Sequence, residues 1–193
     1  MLKKERDNSL IPFVLKTKVI DDAKAKTHRR EVSNLFRTGT DNNVLGLVDE
    51  DELIIKVEDS RQLDKILERL MNIQRYAHAL SAIESISDFE PIINKSKNAE
   101  SADYIVKLID FQNYEQNKAI RNYFERIMNN MGHKVIRTNY TPSHVVYNVK
   151  GVNHDELMTL NKNEIFEAIF PSNLCPDIQL LLIWKKMKQQ LTF

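Results

Sequence analysis

The feature that most constrains this chain is an order of elements that occurs twice. Pro12–Ile20 (PFVLKTKVI) is rich in β-formers and reads as a strand. In the charged segment after it, Ala25, His28, Val32, Leu35 and Phe36 fall on one helical face. Asn42–Val48 and Glu52–Val57 are apolar stretches either side of Asp49-Glu50-Asp51, the pattern of a hairpin. Ser60 is then placed to cap a long helix whose inward face is Leu63, Ile66, Leu67, Leu70 and Ile73. A short strand over Ala82–Phe89 closes the unit before Pro91.

The pattern restarts after the polar, aperiodic stretch 94–103. Tyr104–Asp110 (YIVKLID) repeats the first strand. Asn113 is set to cap a helix with Ile120, Tyr123, Phe124, Ile127, Met128 and Met131 inward, and Gly132 to end it. Lys134–Tyr140 and His144–Val149 form the next pair of strands around Thr141-Pro142-Ser143. A helix from Asn153 with Leu157 and Leu160, then a strand over Glu164–Phe170, complete the second copy. The expected fold class is therefore α+β: two tandem ferredoxin-like (βαββαβ) sandwiches plus a C-terminal helix. The units are 1–93 and 104–171, with a linker at 94–103 and a tail and helix at 172–193.

With both helices on one side, each sheet has a second face to satisfy. In the first copy that face carries Lys16, Lys18, Lys56 and Glu58 among apolar residues. In the second, Tyr104–Ile109 and Val145–Val149 are apolar on both sides, which predicts covering on both. In the tail, Asp177 is a helix cap, and Ile178, Leu181, Leu182, Trp184 and Met187 form an apolar face followed by Lys185, Lys186 and Lys188. Leu181 and Trp184 are its candidate partner-binding residues.

Composition removes several classes of function. The 193 residues contain 28 Lys+Arg against 27 Asp+Glu, so no global excess of positive charge points to nucleic acid. Only four glycines leave little material for phosphate-cradling loops or nucleophile elbows. The single cysteine, Cys175, excludes an internal disulfide and fits a reducing, cytoplasmic compartment. The N-terminus lacks the apolar core of a secretion signal, and the longest apolar run, Leu180–Trp184, is too short to cross a bilayer.

Candidate chemistry is sparse. His28, His78, His133, His144 and His154 lie on different predicted elements, none paired at the spacing of a helical zinc site. The acidic run Asp49–Glu52 lacks the glycine and ligand spacing of a calcium loop. Cys175 has no evident activating neighbour. The chain is thus expected to be non-catalytic, without metal or cofactor. For RNA binding, Phe13, Tyr104 and Tyr147 are the available stacking residues, and the run Lys24, Lys26, His28, Arg29, Arg30 the available basic patch. The strand His144–Val149 lacks a basic, glycine-containing RNA-recognition pattern, so this reading ranks third.

Several phrases resemble the N-terminal region of bacterial subtilisin-like serine peptidases. In the first copy they are His28-Arg29-Arg30 before Leu35-Phe36, the strand Glu52–Val57, and Ala79–Ile86. In the second they are Tyr104–Asp110, Asn117 to Phe124 and Ile165–Pro171, so the likeness runs from Pro12 to Pro171. The resemblance implies a prodomain-like chaperone or inhibitor whose outer sheet face docks on a protease. It also implies that Pro171, Ser172, Asn173, Leu174 and Cys175 lie in the substrate cleft. The chain has no Asp-x-Gly, His-Gly or Gly-Thr-Ser protease motif. It is expected to act on a protease domain in cis or in trans. The alternative is an adaptor or scaffold that mediates oligomerisation or partner binding.

Overall fold

In the computed structural model, residues 10–20, 26–37, 43–49, 51–94, 101–139, 145–153, 155, 156, 159 and 165–172 are described. They form a mixed α+β structure with two sheets and four helices. The chain divides into two compact units, one within 1–90 and 109–123, the other within 91–108 and 124–193. No helix among the described residues is long and apolar enough to cross a membrane.

The first unit opens with β1 (Phe13–Val19), α1 (Lys26–Phe36), β2 (Val44–Asp49) and β3 (Glu52–Val57). It continues with α2 (Ser60–Met71), α3 (Ile73–Ser81) and β4 (Ile83–Asp88). The strands lie in the order β2-β3-β1-β4, with every neighbouring pair antiparallel. Alternation sends Leu15 and Val19 of β1, with Leu53, Ile55 and Val57 of β3, into a core with Val32, Leu35, Phe36 and Ile66. Fully burying a side chain such as Phe36 contributes about 1.5–3 kcal/mol, so the α1 stripe alone supplies a large part of this core.

Two helix-level expectations change. Asp59, not Ser60, caps α2, its carboxylate accepting from the Gln62 amide at 2.8 Å. The long helix also breaks at Asn72, which ends α2 and whose side chain accepts from the Arg75 amide to start α3. Ile73 therefore leaves the inward face and is 68% exposed, and Leu67 is exposed as well, while Ile66 is buried and Leu63 and Leu70 are half-buried. The last carbonyls of α1 are satisfied by Arg69, whose Nη1 donates to Leu35 at 3.0 Å, to Asn34 at 3.3 Å and to Arg37. A cation there also complements the negative end of the helix dipole.

The second unit contains β5 (Ile92–Ile93), β6 (Ser101–Leu108), β7 (Val135–Asn139), β8 (Val145–Asn153) and β9 (Phe166–Pro171). Helix α4 (Tyr114–Asn130) runs from residues of the first unit into the second. The strand order is β5-β9-β6-β8-β7. Asn113 caps α4 as expected, accepting from the amides of Glu115 and Gln116. Gly132, at φ +80°, closes it with paired bonds from His133 to Met128 and from Gly132 to Asn129, both 3.0 Å. These are the two hydrogen bonds of a Schellman C-cap. The ring of Phe124 lies 4.7 Å from that of Tyr147 and edge-on to Phe166, at the centre of this core.

Strand β6 takes in Ser101–Asp103, expected to be linker, because Ser101 and Ala102 pair with Asn153 and Val152 of β8. Ile92 and Ile93 add a short strand parallel to β9, which no alternation in so short a stretch predicts. The two faces of this sheet are covered to different extents. Tyr104, Val106, Tyr147 and Val149 are buried on one face, whereas Ile105, Val146 and Asn148 are only half-buried on the other. That second face admits a charged pair, Lys107 and Glu167, 2.9 Å apart. Asn153 and Glu156 form a reciprocal capping box for the helix expected there, but Leu157 and Leu160 lie outside the described residues. So do the turn Thr141–Ser143 and the C-terminal helix.

Candidate functional site

The residues expected to meet a partner begin where β9 ends. Pro171 is the last residue of that strand, buried and opposite Tyr104. Ser172 follows as a turn and is bound twice to one acceptor: its amide and its hydroxyl both donate to the Asp103 carbonyl, at 2.8 and 3.0 Å. The Asp103 carboxylate accepts in turn from the Gly151 amide at 3.1 Å. Gly151 adopts φ +67°, a conformation glycine reaches without a Cβ penalty, so Asp103 joins the end of β9 to the irregular part of β8. The chain beyond Ser172 thus starts from a fixed point. Asn173, Leu174, Cys175, Leu181 and Trp184 lie outside the described residues.

A second cluster lies on the face of the first sheet turned away from α1, α2 and α3. Lys16 pairs with Glu52 at 3.0 Å and Lys18 with Glu84 at 2.9 Å, both partly exposed. Such pairs contribute about 0–1 kcal/mol each. Lys56 differs, being only 8% exposed, with its ammonium 3.0 Å from Glu58 and 3.5 Å from Gln116 Oε1. The Gln116 amide donates to Glu58 Oε1 at 2.8 Å. That hydrogen bond, then the Lys56 ammonium, holds the Glu58 carboxyl below the usual carboxylate range, against an opposing effect of burial. Nearby, Glu58 donates its amide to Gln62 Oε1, whose Nε2 donates to Asn43 Oδ1 at 3.1 Å. Lys56, Gln62 and Asn43 are buried in this network, whereas Glu58 and Gln116 are half-buried.

Sequence reasoning put Lys56 and Glu58 on one sheet face but missed Gln116, Gln62 and Asn43. A lysine between Ile55 and Val57 is the only local signal, and its partner Gln116 comes from a distant segment. That segment is ordered by a loop in which Asp110 Oδ1 accepts from Gln112 and Asn117, and Gln112 adopts φ +55°. The Gln112 side chain donates to the Leu45 carbonyl at 2.7 Å.

The stacking residues considered for RNA are placed otherwise. Tyr104 and Tyr147 are buried, and the Tyr147 hydroxyl donates to Glu125 at 2.9 Å. A base would have to displace the Phe124 ring to stack on Tyr147. Phe13 packs against the first core, and Arg30 is exposed at the end of the basic run. His78 pairs with Glu31, and His133 lies 3.2 Å from Glu156. Among the described residues no group of three His, Cys, Asp or Glu side chains converges to hold a metal ion.

No family model matches the chain, and no curated protein matches its sequence.

Proposed function

We propose that this chain is a non-catalytic, cytoplasmic, protein-binding module that binds and regulates a subtilisin-like serine protease, in cis or in trans. Its two units are read as ferredoxin-like, since the split β-α-β order of each is the one that fold requires. The observation that carries the proposal is the pair of hydrogen bonds that Ser172 donates to the Asp103 carbonyl. An inhibitor segment that leaves a sheet at a fixed position loses less conformational entropy when it enters a cleft. Asn173, Leu174 and Cys175 would then pair their main chain with the cleft, as an added strand does.

The test compares the full chain with a chain truncated after Ser172 as inhibitors of a bacterial subtilisin acting on a chromogenic peptide. The full chain is expected to inhibit, and the truncated one to lose at least about tenfold in affinity, the scale of a few lost main-chain hydrogen bonds. Substituting the acidic turn Asp49–Glu52 is expected to change little. Equal inhibition by full and truncated chains would sink the tail mechanism.

A specific observation favours the scaffold reading as second choice. Leu67, Met71 and Ile73 stand exposed along the α2–α3 junction, Met71 to 81%. An apolar ridge of this kind marks a surface that other proteins cover. Under this reading Met71→Glu, Leu181→Asp or Trp184→Ala dissolves an assembly seen by light scattering, and protease inhibition is absent.

A further inference from the structure

Both sheets end in an edge strand that is open to solvent, and the two edges carry opposite charge. In the first unit β4 is the edge, and Glu84 through Asp88 are exposed in succession. Phe89 donates its amide inward to the Val14 carbonyl, and the register continues as Lys16 opposite Ser87 and Thr17 opposite Ile86. Antiparallel alternation therefore turns the backbone N–H and C=O of Ile86 and Asp88 toward the free side. In the second unit β7 is the edge, with Ile136, Arg137 and Thr138 exposed and Lys134 exposed just before it. Neither strand contains proline, the residue that most directly blocks pairing at an edge.

We propose that β4 of one molecule pairs antiparallel with β7 of a second copy of this chain. Setting Ile86 opposite Ile136, which are 37% and 41% exposed, covers both apolar side chains at once. The same register brings Asp88 opposite Lys134 and Glu84 opposite Thr138. Pairing of β4 with itself about Ile86 would instead set Glu84 against Asp88, and like charges directly opposite are destabilising. The occupant of the acidic edge is thus the basic edge of another copy. Because the two surfaces differ, the contact is heterologous, so assemblies grow head to tail or close into a ring. The contact uses nothing after Ser172, so its failure and that of the protease reading are separate results.

Sedimentation velocity of the full chain tests the pairing over a range of concentrations, at low and at high salt. The average mass is expected to rise with concentration and to fall with salt. Asp88→Lys alone and Lys134→Asp alone should each weaken association about five- to tenfold, the scale of exchanging an exposed attraction for a repulsion. The two substitutions combined in one chain should restore it, since each contact again joins opposite charges. Circular dichroism confirms that each variant is folded. A monomer mass at every concentration overturns the proposal, as does an assembly indifferent to the single substitutions or not rescued by the double one.

Discussion

The Asp103 carbonyl oxygen accepts both the amide and the hydroxyl of Ser172, so the end of the last strand is fastened to the start of β6 at one atom. The amide bond extends the β6–β9 ladder by one residue beyond Pro171, and the hydroxyl bond is an addition only serine or threonine can make at this position.

Ser172→Ala removes the hydroxyl and keeps the amide. The expected cost is about 0.5–1.5 kcal/mol, toward the lower end because the site is solvent-accessible. Chemical denaturation measures it. Hydrogen exchange at the Ser172 amide is expected to quicken in the variant, because the turn loses one of its two ties.

Thr17 is fully buried in the first unit, and its hydroxyl has no hydrogen-bond partner among the described residues. A buried hydroxyl without a partner costs about 1–3 kcal/mol relative to water. Thr17→Val keeps the branched shape and removes that cost, so the variant is expected to be more stable, with a higher Tm by thermal unfolding. A lower Tm would show that the hydroxyl is satisfied in solution.

Gly132 ends α4 in the left-handed region, and apart from its chain neighbours and the helix backbone no described residue comes within 4 Å of where a Cβ would sit. The cost of Gly132→Ala is therefore conformational alone, about 1–2 kcal/mol. Gly132→Asn should cost less, since asparagine tolerates this region better. Urea unfolding of the three proteins gives the ranking.

Glu58 has its carboxyl held below the usual range by the Gln116 hydrogen bond and by Lys56. A carboxyl depressed in the folded state stabilises it above the unfolded value, about 4.3. That contribution is lost as the pH falls through the lower folded-state value. Glu58→Gln is expected to flatten the acid limb of the stability curve and to be less stable at neutral pH, where Lys56 loses its counter-charge. Unfolding followed from pH 7 downward checks both.

Much of the fold was legible because its signals are local. Asn113 and Gly132 bracket α4 where the capping chemistry says they must, and the outer face of β1 carries Lys16 and Lys18 as expected. The break at Asn72 was not legible. Asparagine is an ordinary cap, but here it ends one helix and begins the next without a proline or glycine to mark the place. Lys56 and Glu58 fall on one sheet face by alternation, but nothing near them in sequence shows that Gln116, some sixty residues on, joins them.

By itself the amino-acid order determined the mixed α+β class and the buried stripes of the helices, such as Val32, Leu35 and Phe36 of α1 and Ile120, Phe124 and Met128 of α4. Each of these follows from periodicity and capping within a few residues of chain. Only the tertiary structure decided the strand order, the extra pairing of Ile92–Ile93 with β9, and which tyrosines lie buried. It also decided the fastening of Ser172 to Asp103 and the enclosure of Lys56. Those features depend on hydrogen bonds and packing between residues far apart in the chain, for which local pattern carries no signal.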